Sequence, residues 1–104
     1  MTMYKKKRKA LEADGWKVGT AQDFLDLSDE EAALIDLKLA LGRALKERRT
    51  RQRLSQAAVA ARIRSSQSRV AKMESGDSTV SIDLLVRTLL ALGASRKDLA
   101  RSLT

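Results

Sequence analysis

Residues 54–76 read LSQAAVAARIRSSQSRVAKMESG. Val59, Ala60 and Ile63 recur at helical spacing and then stop; apolar residues resume at Val70 and Met73, three apart. Ser55 is placed to cap the first run, and Ser66 or Ser65 the second. Gly76 suits the stop that follows. The pattern predicts two short helices, about Ser55 to Arg62 and Gln67 to Glu74, joined by a tight turn. Ala60 is small where the two should approach. With Val59, Ile63, Val70 and Met73 turned inward, the second helix crosses the first steeply and keeps a free face. That face carries Gln67, Ser68, Arg69 and Lys72. An α-helix fits the major groove of B-DNA, and such side chains suit base edges and phosphates there.

The flanks carry further helix signals. Upstream, Ser28 and Glu31 form a capping-box pair, with Asp29 and Glu30 at the positive end of the dipole. Leu34, Leu37, Leu41 and Leu45 then recur at three and four residues, predicting an amphipathic helix to about Arg49 or Thr50. Gly42 inside it is a modest cost. Downstream, a helix starts at Ser81 and stops at Gly93. A last short one starts at Ser95, paired with Asp98, and carries Leu99 and Leu103. Residues 1–20 read as irregular, with Trp16 between Gly15 and Val18–Gly19, and residues 21–27 allow one helical turn. No stretch has the period of two that a half-buried strand shows. The expected fold is all-α, five helices, with a core of Leu, Ile, Val and Ala, since Trp, Tyr and Phe occur once each.

Composition narrows the function. The 104 residues fit one domain and contain no Cys, His or Pro. Disulfides, thiol nucleophiles, thiolate or imidazole metal sites and a histidine base are therefore excluded. No catalytic constellation, metal site or cofactor is expected. The 21 basic and 13 acidic residues leave a net charge of +8, which calls for a polyanionic partner. Residues 41–72 hold ten basic side chains and a single acid, an excess larger than that of the whole chain. Like charges so concentrated repel unless an anion arrives, which marks a phosphate-facing surface. The basic start MTMYKKKRKA is followed by LEADGWKVG rather than an apolar run, so a signal peptide is rejected and a cytoplasmic, membrane-free protein is expected.

The 54–76 stretch resembles the helix-turn-helix of the phage-repressor-like Cro/C1 class, also called the xenobiotic-response-element family. The resemblance covers residues 37–93. It rests on the Leu-Ser-Gln start, Ala60, Ile63, the Ser-Gln-Ser-Arg-Val run and Glu-x-Gly. More narrowly, GWKVGTAQDFLDLS (15–28) and SQSRVAKMESGDSTVSIDLLVRTLLALG (66–93) are similar to HigA-type antitoxins. The family implies a five-helix domain acting as a DNA-binding homodimer on a palindromic operator that controls its own operon. The subgroup implies a second partner, a RelE-like ribonuclease toxin. Two positions depart from the family pattern. Arg64 stands where the turn usually has Gly, and Arg53 where the loop often has Gly. Arg64 would be strained by about 1 kcal/mol if that position needs a positive φ.

The domain division that follows is 1–27, a basic arm and partner-contact segment, and 28–104, the DNA-binding domain, with the motif at 55–74. Taken alone, Gln67, Ser68 and Arg69 read as a solvated face; within the resemblance they read as base readers, with Ser66 and Arg64 beside them. Gln56 reads as a phosphate contact. Lys72 and Arg43 read equally as phosphate holders or plain surface. Lys5–Lys9 is first a solvated tail, second an arm on the DNA backbone. Trp16 and Phe24 read more readily as local core than as partner anchors. The acidic Asp23–Asp36 stretch is a helix start or a surface for a basic partner. Arg49, on the inward stripe four residues after Leu45, needs a counter-charge, and Glu74, which the family commonly pairs with it, is almost the only acid at hand. The remaining readings are a stand-alone phage-like regulator and a module that mainly binds protein.

Overall fold

The computed structural model describes residues 28–104. The basic arm, Lys5–Lys9, Trp16, Phe24 and the helical turn expected at 21–27 lie outside the described residues. Among the described residues there are five helices and no strand: α1 (Asp29–Arg51), α2 (Gln56–Arg62), α3 (Gln67–Ser75), α4 (Ile82–Ala91) and α5 (Arg96–Ser102). Ile35–Thr104 form one compact unit.

Every one of these helices starts on a serine hydroxyl that accepts a backbone N–H three residues on. The donors are Glu31 to Ser28 (3.1 Å), Ala58 to Ser55 (3.0 Å), Arg69 to Ser66 (3.2 Å), Leu84 to Ser81 (3.1 Å) and Asp98 to Ser95 (3.1 Å). Each satisfies one of the N–H groups that a helix start leaves without a partner. Glu31 and Asp98 return the bond to Ser28 N and Ser95 N, completing two capping boxes.

Four helices end alike. A residue in the left-handed region donates its N–H to the carbonyl three back, and the next residue donates to the carbonyl five back. The left-handed residues are Arg53 (φ 57°), Arg64 (φ 56°), Gly76 (φ 69°) and Gly93 (φ 90°). The two arginines occupy the same backbone conformation as the two glycines, so the strain anticipated at Arg64 is present, and Arg53 shares it.

Leu41, Leu45, Val59, Ala60, Val70, Met73, Val80, Leu85, Leu89, Leu92 and Ala94 build the core, with Ile63, Leu84 and Leu99 half-buried against it. The apolar stripe expected along α1 is buried only in its second half. Leu41 and Leu45 are fully covered, whereas Leu34 and Leu37 are 44% and 36% exposed. Within the compact unit, α1 meets the end of α3 near Leu39, which lies against Gly76, so the buried stripe begins only beyond Leu37. At Gly42 the two helices nearly touch. A Cβ there would lie 2.5 Å from the Met73 carbonyl oxygen and 2.9 Å from that of Glu74. Polar ties complete the frame. Gln52 Nε2 donates to the Leu92 carbonyl at 2.7 Å, Lys38 Nζ to the Ser78 carbonyl at 3.1 Å, and Arg48 pairs with Asp98 at 3.1 Å.

Candidate nucleic-acid interface

α2 and α3 pack directly on each other, with Val59, Ala60, Val70 and Met73 buried between them and α1. Burying Val70 and Met73 fixes the rotation of α3. The opposite face then presents Gln67, Ser68, Arg69 and Lys72, all exposed. Ser66, Ser68, Arg69 and Lys72 line one open groove, closed on its far side by Thr79 and Val80. The Ser66 hydroxyl accepts the Arg69 N–H and lies 3.2 Å from Ser68 Oγ, so it is partly committed to capping. Arg64 is exposed in the turn just before.

Behind this face stands a polar cluster that locks three elements. Arg49 Nε donates to Glu74 Oε2 at 2.5 Å and a terminal nitrogen to Glu74 Oε1 at 3.1 Å. A third N–H of Arg49 donates to the Leu54 carbonyl at 2.9 Å. Only 13% and 5% of the two side chains is exposed, which makes the pair nearly buried. The hydrogen bond to Glu74 raises the Arg49 pKa further, so the guanidinium stays charged. Gln56 is drawn into the same cluster: its Nε2 donates to Glu74 Oε1 at 3.1 Å. Nothing in its residue type announced that internal partner. One amide hydrogen of Gln56 is left over.

Asp77, just after α3, holds Thr79 at the edge of this groove, a partner that the residue types alone do not reveal. Thr79 donates its hydroxyl and its N–H to Asp77 Oδ1, at 2.5 and 2.8 Å. These bonds, with Lys72 and Lys38 nearby, hold the Asp77 carboxyl below its ordinary value. On the other side of the fold, hydrogen bonds from Ser95, with Arg101 and Arg48 beside it, hold Asp98 well below the usual carboxylate range.

Arg48, Arg49, Arg87 and Arg101 are in ion pairs. Arg43, Arg53, Arg64, Arg69 and Lys72 are in none among the described residues, nor are Lys46, Arg51, Arg62, Arg96 and Lys97. The unpaired set includes every cation of α3 and of the two turns flanking α2. No group of carboxylates among the described residues could hold a metal ion, and no helix among them is long and apolar enough to cross a membrane.

Two short helices packed on a third, with the second left open on one face, define a helix-turn-helix, a DNA-binding module. A family model described as a helix-turn-helix domain matches residues 40–102, more than half of the chain. The chain belongs to that family. No curated protein and no solved structure matches it.

Proposed function

We propose that this protein is a sequence-specific, DNA-binding transcriptional repressor that acts as a homodimer and reads the major groove with α3. The observation that carries the reading is the open face of α3: Gln67, Ser68, Arg69 and Lys72 are exposed on a helix whose other face is pinned by Val70 and Met73. Gln67 and Arg69 sit in its first turn, the end that usually meets the bases. The amide of Gln matches adenine N6 and N7, and the fork of Arg matches guanine O6 and N7. Ser66 and Ser68 contribute short hydroxyls beside them. Lys72, Arg43 and Arg64 hold phosphates. Gln56 joins them with its spare amide hydrogen, pre-aimed because Glu74 holds the other. Residues 28–104 form the DNA-binding domain, and residues 1–27 a basic arm and partner-contact segment.

The test is binding to an operator selected from random duplexes and to its scrambled form, across a salt series. Gln67→Ala and Arg69→Ala should each cost about 1–3 kcal/mol and relax preference at one base per half-site. Lys72→Ala should weaken both DNAs alike. If Gln67→Ala and Arg69→Ala both leave operator binding intact, α3 is not the reader.

A narrower reading makes the chain a HigA-type antitoxin that represses its own operon and neutralises a RelE-like toxin. It is supported by the likeness of residues 15–28 and 66–93 to that subgroup and by the acidic Asp23–Asp36 stretch, which complements a basic partner. A small basic protein co-purifying with the chain, encoded by the neighbouring reading frame, is the expected result. Recovery of the chain alone would leave a stand-alone regulator.

A further inference from the structure

The second half of α1 carries a row of cations that the α3 surface does not include. Gly42 and Arg49 mark the line along which α1 faces α3: one touches the α3 backbone, the other binds Glu74. At 3.6 residues per turn, Arg43, Lys46 and Thr50 share the next column round the helix. All three are exposed. The Thr50 hydroxyl bonds back to the carbonyls of Lys46 and Glu47, which leaves that position small and neutral. Arg53 lies just past the end of α1, exposed, in the tight turn that its N–H closes on the Thr50 carbonyl at 3.0 Å. Glu47, four residues after Arg43, borders the row on its far side; it lines the groove toward α5 with Arg48 and Arg51 and makes no ion pair with the row among the described residues. Arg43, Lys46 and Arg53 are in no ion pair among the described residues.

Arg53 holds this place in a left-handed conformation that glycine adopts without strain. The charge at this position therefore comes with backbone strain that a glycine would not carry. From Arg43 to the end of α1 the row runs on the order of 12 Å. Phosphates along one strand of a duplex advance about 3.4 Å per nucleotide, so the row spans several of them.

We propose that Arg43, Lys46 and Arg53 form a ridge on α1 that tracks the phosphate backbone of the same DNA beside the groove read by α3, supplying affinity without sequence preference. The ridge rests on the DNA-binding reading above and adds Lys46 and Arg53 to it. Counterion release makes each such contact visible as a salt slope of about 0.9 per phosphate.

The test compares wild type with an Arg43→Gln, Lys46→Gln, Arg53→Gly variant on a selected operator and on a mixed-sequence duplex, over roughly 50–200 mM salt. The expected result is a loss of about tenfold or more on both DNAs, by the same factor, with the slope reduced by about two to three units. A control that removes the same charge elsewhere, Arg51→Gln, Arg96→Gln, Lys97→Gln, should change the slope by less than about one unit. Arg53→Gly alone should melt at a higher temperature than wild type yet bind more weakly, a combination that a purely structural role for Arg53 does not give. An unchanged slope in the ridge variant, an equal loss in the control, or a loss confined to the operator would each overturn the ridge while leaving α3 as reader. Wild-type protein that shows no salt-dependent DNA binding would overturn the DNA reading and the ridge with it.

Discussion

Gly42 and Arg64 show a residue type and its backbone position at odds in opposite senses. Glycine inside α1 lowers helix propensity by about 1 kcal/mol relative to alanine. Yet a methyl group at Gly42 would meet two carbonyl oxygens of α3, at 2.5 and 2.9 Å, and these are backbone atoms that cannot swing aside. Overpacking of this kind costs about 1–3 kcal/mol, enough to outweigh the propensity gain. Gly42→Ala should therefore destabilise the protein by up to about 2 kcal/mol in urea unfolding. Arg64, at φ 56°, has the opposite problem. Arg64→Gly should stabilise by up to about 1 kcal/mol. A stabilising Gly42→Ala would show that α1 and α3 can separate there without loss.

Three helices meet at Glu74, and their mutual orientation depends on one carboxylate. It lies in the last turn of α3, accepts two N–H groups from Arg49 of α1, and accepts Gln56 at the start of α2. The hydrogen bond from Arg49 to the Leu54 carbonyl ties in the loop between α1 and α2. Removing the carboxylate leaves a nearly buried guanidinium without its counter-charge. Glu74→Ala should cost about 3–5 kcal/mol by chemical denaturation. It should also lower DNA affinity in the fraction that stays folded, because Gln56 loses its anchor. A loss under about 1 kcal/mol would mean that water substitutes for the carboxylate and that the pair is not effectively buried.

The molecule as a whole leaves apolar surface over. Of the α4 and α5 leucines, Leu85, Leu89 and Leu92 fill the core, Leu84 and Leu99 are half-covered, and Leu90 and Leu103 are 47% and 45% exposed. The proposed homodimer would use this remainder in a two-fold contact, the same patch on both copies. Sedimentation should show association in the micromolar range. Leu90→Glu with Leu103→Glu should weaken it at least about tenfold, roughly 1.4 kcal/mol, with the fold intact since both positions are already exposed. A monomer with no concentration dependence would count against the dimer. A dimer should also need two half-sites about 10 bp or a multiple apart.

The amino-acid sequence settled what depends on neighbours within four residues. The serine caps at 28, 55, 66, 81 and 95 were legible, as were the stops at Gly76 and Gly93 and the inward placing of Val59, Val70 and Met73, because capping and helical periodicity are local. The acid-poor 41–72 stretch was equally plain, since charge is counted without coordinates. Packing decided the rest. Whether Gly42 is a flaw or a contact depends on where Met73 arrives, thirty-one positions later in the chain. Gln56 and Gln52 look like solvent residues until Glu74 and the Leu92 carbonyl come within reach. Leu37 keeps perfect spacing with Leu41 and is still exposed, because periodicity names a face and only the partners of that face determine how far along the helix it is covered.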